Sequence, residues 1–195
     1  MASFAGGNFI LGGILLEEQK YIDFGITLAE SYYETYRTTL GIGPEGFRWT
    51  AAELPHDNAT NPDPPAEQKD FYEEAGFWAS SPYYILRPET VESLYYAYRV
   101  TGDAKYQDLA WEGFQHIIAA TRVNDAYSSI RDVTAPDGGG FIDKMESFWL
   151  TETLKYLYLL FDEESPLQIS ADKDKPNGWV FNTEAQPLRI RGNVA

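Results

Sequence analysis

A segment near the middle of the chain combines an arginine with two glutamates at helical spacing. It reads Arg87-Pro88-Glu89-Thr90-Val91-Glu92-Ser93. Pro88 favours a helix start, and the first turn of a helix stabilises an ionised carboxylate by about 0.3–1 kcal/mol. Glu89 is therefore a candidate base, and Glu92 follows one turn later. Arg87 could bind a carboxylate or a hydroxyl through its forked guanidinium N–H groups. Acidic residues also stabilise first helical turns without doing chemistry, and this alternative stays open.

A third carboxylate is predicted inside an apolar helix. Glu152 lies within residues 148–161, which are mostly apolar, and it shares a helix face with Phe148 four residues earlier. Burying a charge is costly unless it has partners, so Glu152 belongs either to a functional site or to a structural ion pair. Asp143 and Glu146 match a capping box that would start this helix.

Residues 182–187 read Asn182-Thr183-Glu184-Ala185-Gln186-Pro187. A hard cation such as Ca²⁺ takes six to eight oxygen ligands, and a threonine can offer both its carbonyl and its hydroxyl oxygen. Thr183 is thus a candidate metal ligand. An ordinary polar turn is the alternative interpretation.

Helices separated by glycine and proline must position these segments. Apolar periodicity predicts one helix over residues 17–40 and another from Pro88 to Gly102. Asp103 can cap a third helix, which would form an αα-hairpin with the second. Alternation between residues 122 and 140 favours a short β-hairpin, and two short strands are predicted near residues 179–181 and 188–190.

Long helices joined as hairpins are typical of either a helical array or an α/α toroid. No fixed repeat period is found in the sequence. In a toroid the inner ends of successive hairpins converge on a central pocket, so carboxylates at those ends become candidates for chemistry.

Composition limits the partners. With 30 acidic and 15 basic residues the formal charge is −15, which argues against nucleic acid and favours a neutral ligand or a cation.

The apolar start, residues 4–16, is broken by four glycines and predicts neither a membrane span nor a signal peptide. The absence of cysteine excludes disulfides and zinc thiolate sites. Asn58-Ala59-Thr60 matches an N-glycosylation acceptor, weakly favouring a secretory route.

In their order and amino-acid sequence, these segments resemble the C-terminal half of glycoside hydrolase family 47, the class I α-1,2-mannosidases of the secretory pathway. The similar stretches are residues 3–7, 41–47, 87–93, 145–161 and 180–187. The resemblance implies an all-α fold, with the chain forming part of an α/α barrel of seven helical hairpins and carrying short β-hairpins. Residues 1–195 would then be the C-terminal portion of a single catalytic domain.

The resemblance also implies a site and a chemistry. The reaction would be calcium-dependent, inverting hydrolysis of terminal α-1,2-linked mannose from high-mannose N-glycans, in the endoplasmic reticulum or Golgi lumen or outside the cell. Glu89 matches the proposed general base, and Thr183 matches the residue that ligates Ca²⁺ through two oxygens. The residues that match the mannose and calcium-water site are Arg87, Glu92, Phe148, Glu152 and Glu184.

The chain departs from the family in three respects. No part of it matches the N-terminal half, which carries the candidate acid, so that half is an expected partner. Ser3 and Tyr32 stand near the positions of a disulfide common in fungal members, and Gln186 stands where histidine is usual. Two alternatives to an enzyme remain: a catalytically silent relative that binds mannose or N-glycans, and a purely helical interaction module. No membrane contact is expected from this segment itself.

Overall fold

The computed structural model of this chain describes residues 2–53, 60–171, 175 and 177–191. Six α-helices dominate these residues. A 3₁₀ turn, Ala2–Phe4, precedes the first, and a π-helical segment, Trp149–Thr153, leads into the last. The helices are α1 (Ala5–Leu16), α2 (Gln19–Arg37), α3 (Lys69–Ala75), α4 (Glu89–Thr101), α5 (Lys105–Thr121) and α6 (Leu154–Phe161).

Three antiparallel strand pairs lie between the helices. β1 (Gly46–Arg48) pairs with β2 (Trp78–Ser81), β3 (Arg122–Val123) with β4 (Ala126–Tyr127), and β5 (Trp179–Phe181) with β6 (Pro187–Arg189). The last two pairs confirm the predicted short hairpins, whereas β1 and β2 were not predicted. Within the described residues, the helices and strand pairs do not close a barrel.

Helix α4 lies at the centre of the helix packing. It contacts α1, α2, α5 and α6, and residues 89–97 are buried along it. As predicted, it follows Pro88 and ends at Gly102, whose φ of 65° is readily adopted by glycine. The Asp103 carboxylate accepts a hydrogen bond of 3.0 Å from the backbone N–H of Lys105, which confirms the predicted cap of α5 and the αα-hairpin.

The predicted capping box at Asp143 and Glu146 is wrong. Asp143 has a left-handed φ of 56°, and its backbone N–H donates to the Ser128 hydroxyl at 3.1 Å. Glu146 forms an ion pair with Lys144 at 2.6 Å. Because Asp143 is tied to a neighbouring loop, helical geometry begins only at Trp149.

The glycine-rich start of the chain forms helix α1, which was not predicted. A left-handed turn at Glu17 (φ 55°) separates it from α2, so the helix predicted over residues 17–40 is confirmed only for Gln19–Arg37. No helix among the described residues is long and apolar enough to cross a membrane. Asn58 and Ala59 of the glycosylation pattern lie outside the described residues.

Ser3 and Tyr32, which the resemblance places near a disulfide of fungal members, line one small cavity of about 60 Å³. The Ser93 hydroxyl donates to the Ser3 carbonyl at 2.7 Å, and the Gly7 N–H donates to the Ser93 hydroxyl at 3.2 Å. These two hydrogen bonds fix the start of the chain to α4 without a covalent link.

Helices α1 and α2 cross with their backbones in contact, and glycine makes this possible. A methyl group added to Gly6 would lie 2.8 Å from the Ala29 nitrogen and 2.9 Å from the Gly25 oxygen. One added to Gly25 would lie 2.6 Å from the Gly6 oxygen and 2.7 Å from the Ile10 nitrogen. Any side chain at either position therefore pushes the two helices apart.

We expect Gly6→Ala to lower the free energy of unfolding of the chain by about 1–3 kcal/mol, because backbone atoms cannot move aside for the methyl group. Gly12→Ala is the matched control in the same helix, where an added methyl group meets nothing within 4 Å. Alanine is the better helix former, so this control should stabilise by up to about 1 kcal/mol. Urea unfolding midpoints measure both, and equal effects of the two substitutions would contradict the close crossing.

Candidate active site

One cavity of about 570 Å³ collects every site residue predicted from the sequence. The cavity is bounded by the start of α4, the π-helical segment and the turn between β5 and β6. Those three elements come from separate parts of the chain. The seven predicted residues that line it are Arg87, Glu89, Glu92, Phe148, Glu152, Thr183 and Glu184.

Arg87 lies at the entrance to α4 with three neighbours. Its Nη1 is 3.7 Å from Oε1 of Glu89, and its guanidinium carbon lies 5.2 Å from the centre of the Phe148 ring. Its other edge binds Glu45 through Nη2 and Oε1 at 2.7 Å. The hydrogen bonding that Arg87 donates to Glu45 is the largest cause of a raised pKa for Arg87, so the guanidinium is a permanent cation in the cavity wall.

Glu92 lies buried one turn after the start of α4. Burial raises the pKa of its carboxyl to about 8, and repulsion from Glu89 and Glu152 adds to this rise. The nearby Tyr156 side chain acts in the opposite direction. Its surroundings therefore favour the protonated form of this carboxyl.

Glu152 reaches the same wall from the π-helical segment, a rare geometry that often marks functional sites. Burial, followed by repulsion from Glu184 and Glu89, raises the pKa of Glu152 to about 7. Arg87 and Lys155 act in the opposite direction. Glu152 is thus one member of a group of repelling carboxylates that lines the cavity.

The turn between β5 and β6 places Thr183 at the cavity. The Asn182 side-chain oxygen accepts hydrogen bonds from the backbone N–H groups of Glu184 at 3.1 Å and Gln186 at 2.8 Å. Lys155 on α6 donates to the carbonyl of Ala185, which has a left-handed φ of 54°. The turn is therefore closed from within by Asn182 and fixed to the helix by Lys155.

The donor set fits a hard cation bound through water. Four carboxylates line the cavity, and their mutual repulsion would be relieved by a positive ion. Among the described residues, no three acidic or histidine side chains converge as direct ligands. Thr183 lines the same cavity and is the candidate direct ligand from the sequence, while the carboxylates would contact the ion through its waters.

Sequence reasoning gave no role to three residues that shape this site: Asn182, Lys155 and Glu45. Asn182 could have been found, because asparagine commonly caps a turn through its side chain. Lys155 and Glu45 gave no signal, since their contacts join distant parts of the chain. Gln186 contributes its backbone N–H to the turn and does not line the cavity.

Aromatic and polar groups alternate around the cavity in a way that suits a sugar. Phe4, Tyr96, Phe148 and Phe181 supply apolar surface against which a pyranose face can pack. Carboxylates and the guanidinium supply acceptors and donors for its hydroxyls. The wall can therefore hold a neutral polyhydroxylated ring and present Glu89 to it as a base.

The chain is similar to several curated mannosidases. A mannosyl-oligosaccharide alpha-1,2-mannosidase from Coccidioides posadasii is 44% identical over 191 residues, covering 97% of this chain and 35% of that protein. Mannosyl-oligosaccharide alpha-1,2-mannosidase 1B from Emericella nidulans is 42% identical over 191 residues, with 97% and 35% covered. The chain thus spans about a third of the length of these curated relatives.

The fold comparison gives the same result. The solved alpha-1,2-mannosidase from Trichoderma reesei superposes with a TM-score of 0.89 at 61% sequence identity, covering 97% of this chain and 38% of that one. The predicted fold class, a helical part of an α/α barrel with short strand pairs, is confirmed. The family model of glycosyl hydrolase family 47 matches residues 1–190. The chain therefore belongs to glycosyl hydrolase family 47.

Proposed function

We propose that this chain forms one wall of a calcium-dependent α-1,2-mannosidase site, which removes terminal mannose from high-mannose N-glycans in the secretory pathway with inversion. One observation carries the proposal. A single cavity is lined by all seven residues assigned to that chemistry. They come from three segments of the chain, and the first and last of them, residues 87 and 184, are 97 positions apart. The mannosidases to which the chain is similar supply the substrate class.

Glu89 is the proposed base. Its buried position in the first turn of α4 keeps its carboxylate close to the N–H groups of the helix start, which favour negative charge. It would take a proton from a water molecule as the oxygen of that water bonds to the anomeric carbon. The bond to the leaving oxygen breaks at the same time, and an acid on the opposite side of the sugar gives that oxygen a proton.

Thr183 is the proposed direct ligand of Ca²⁺, with Glu89, Glu152 and Glu184 as neighbours of its water shell. When bound, the ion would orient the sugar hydroxyls and the attacking water and make that water easier to deprotonate. Phe148 and Arg87 lie against each other in the cavity wall. Together they would contact the sugar ring from one side.

The general acid must come from another part of the catalytic domain. An exposed apolar groove offers a surface on which that part could pack. Helices α5 and α6 leave a groove of about 460 Å³ that includes Trp111, Tyr158 and Phe161, which are 50%, 64% and 47% exposed. Exposed patches of this kind mark interfaces. We therefore expect the N-terminal part of a family 47 catalytic domain to pack here, and the chain alone to hydrolyse mannosides poorly or not at all.

The first test uses a completed domain, in which this chain is joined to the part of the catalytic domain that its relatives have beyond it. Glu89→Gln should lower kcat for an α-1,2-mannobiose by about 10²–10⁴-fold, because a base acts in the transition state. The affinity for the disaccharide should change little. Glu73→Gln, on the exposed face of α3, is the control. A Glu89→Gln variant with the wild-type rate would refute the base.

The second test concerns the metal. Ca²⁺ that binds only the folded domain raises its Tm, since such a ligand stabilises by RT ln(1 + [L]/Kd). Thr183→Val removes the hydroxyl ligand at nearly constant volume, so we expect it to lose much of the difference in Tm between millimolar Ca²⁺ and chelator. Thr50→Val, at another exposed threonine, should keep that difference. Equal Ca²⁺ shifts in both variants would show that the Thr183 hydroxyl is not a ligand.

The third test is the pH dependence of stability of the 195-residue chain in chelator. The pKa of Glu92 is about 8 in the folded chain and is ordinarily 4.5, so the folded state binds an extra proton between these values. The contribution of this carboxyl to stability should therefore be fully present below about pH 4.5 and be lost as the pH rises to about 8. Glu89, Glu152, Tyr96 and Tyr156 face this carboxyl.

Urea midpoints at several pH values measure this loss. Glu92→Gln should reduce the slope of stability with pH, because its amide carries no proton that ionises. Glu73→Gln should keep the wild-type slope, since Glu73 is exposed. If Glu92→Gln and the wild type show the same slope, burial of this carboxyl is not what links stability to pH.

A further inference from the structure

Glu45 binds Arg87 with both of its carboxylate oxygens, across 42 positions of the sequence. The Arg87 Nε lies 3.0 Å from Oε2 and 3.2 Å from Oε1, and Nη2 lies 2.7 Å from Oε1. Both side chains are largely shielded, at 20% and 28% exposure. Such a two-point pairing fixes direction as well as distance, because the guanidinium is planar and rigid.

The remaining surfaces of the guanidinium are those that face the cavity. Its Nη1 points toward Glu89 at 3.7 Å, and its plane lies near Phe148, with 5.2 Å between the guanidinium carbon and the ring centre. Once Glu45 occupies the Nε and Nη2 edge, the plane of the group has no freedom to turn. The position of Arg87 beside the base and the aromatic ring therefore depends on Glu45.

Glu45 is itself fixed to the segment that leads to Arg87. Its backbone N–H donates to the carbonyl of Tyr83 at 2.8 Å. The next residue, Gly46, begins β1 and pairs with Ser81 of β2. Glu45 is thus held at the start of β1 by backbone hydrogen bonds to the segment that runs from β2 to Arg87, a rigid support of the kind that catalytic geometry requires.

We propose that Glu45 is a positioning residue of the mannosidase site: it holds Arg87 at the entrance of α4, over Phe148 and beside Glu89, without contacting the sugar. This inference rests on the proposed function. Without Glu45, the nearest anion to the partly buried guanidinium is Glu89. Arg87 would then turn toward the base, and both the sugar contact and the availability of the base would suffer.

A double-mutant cycle on the completed domain tests this inference, with kcat and KM measured for α-1,2-mannobiose. Glu45→Gln should lower kcat/KM by about 10–100-fold, the scale of loss caused by a small misplacement of a catalytic group. Arg87→Lys should lose at least as much, because lysine has no planar fork. The double variant should match Arg87→Lys within about twofold, since Glu45 acts only through Arg87.

Two further variants separate positioning from general stability. Glu34→Gln removes the carboxylate of another arginine pair, the exposed one between Glu34 and Arg37, and should leave the kinetics unchanged. Glu45→Asp keeps the charge but is one methylene shorter, so its loss should be intermediate. Wild-type kinetics in Glu45→Gln would overturn the proposal, as would a double variant whose loss is the product of the two single losses.

A further experiment measures no catalysis and uses the 195-residue chain itself. In proton–nitrogen NMR spectra, the Nε–H of Arg87, assigned by its disappearance in Arg87→Lys, should exchange slowly with water because Glu45 shields it. Glu45→Gln should speed this exchange, whereas Glu34→Gln should not change it. An unchanged signal in Glu45→Gln would overturn the proposal. A completed wild-type domain without turnover would contradict the proposed function, and the NMR result would still decide whether Glu45 fixes Arg87.

Discussion

Repulsion among carboxylates in a shielded wall is the constraint on which the rest of this structure depends. Glu89, Glu92 and Glu152 are buried within one cavity, and the pKa values of Glu92 and Glu152 are raised by burial and by neighbouring negative charge. A wall of this kind is unfavourable for folding alone, because buried charges lose their hydration. Proteins retain such groups where they serve a site, and perturbed carboxyls in a cleft are typical of active sites.

The surrounding fold limits this cost with fixed positive groups. Arg87, held by Glu45, lies at the start of α4, and Lys155 holds the turn that carries Thr183. The helix start itself favours negative charge. These supports are rigid because α4 packs against four helices, while α1 and α2 approach each other through Gly6 and Gly25. A bound cation would add the largest single positive charge to the same wall.

The sequence predicted α4 and its hairpin well, because Pro88, Gly102 and Asp103 are local signals. Residue types and spacing alone left all three site segments open to a structural interpretation. Only the resemblance to family 47, with its five ordered segments, joined them into one site.

Helix α1 was missed because its glycines were interpreted as helix breaks, although they allow close packing. The Glu45–Arg87 pair was missed because it depends on how the chain folds back over 42 positions, and the expected cap at Asp143 failed because that residue is hydrogen-bonded to a neighbouring loop.

We propose above all that this wall binds mannose together with Ca²⁺. Titration of the completed domain with 1-deoxymannojirimycin, a mannosidase inhibitor shaped like the sugar, tests it most directly when done in millimolar Ca²⁺ and in chelator. We expect saturable binding in Ca²⁺ and a Kd at least about tenfold weaker in chelator, a coupling of about 1.4 kcal/mol. Absence of binding, or the same affinity in both buffers, would contradict the account.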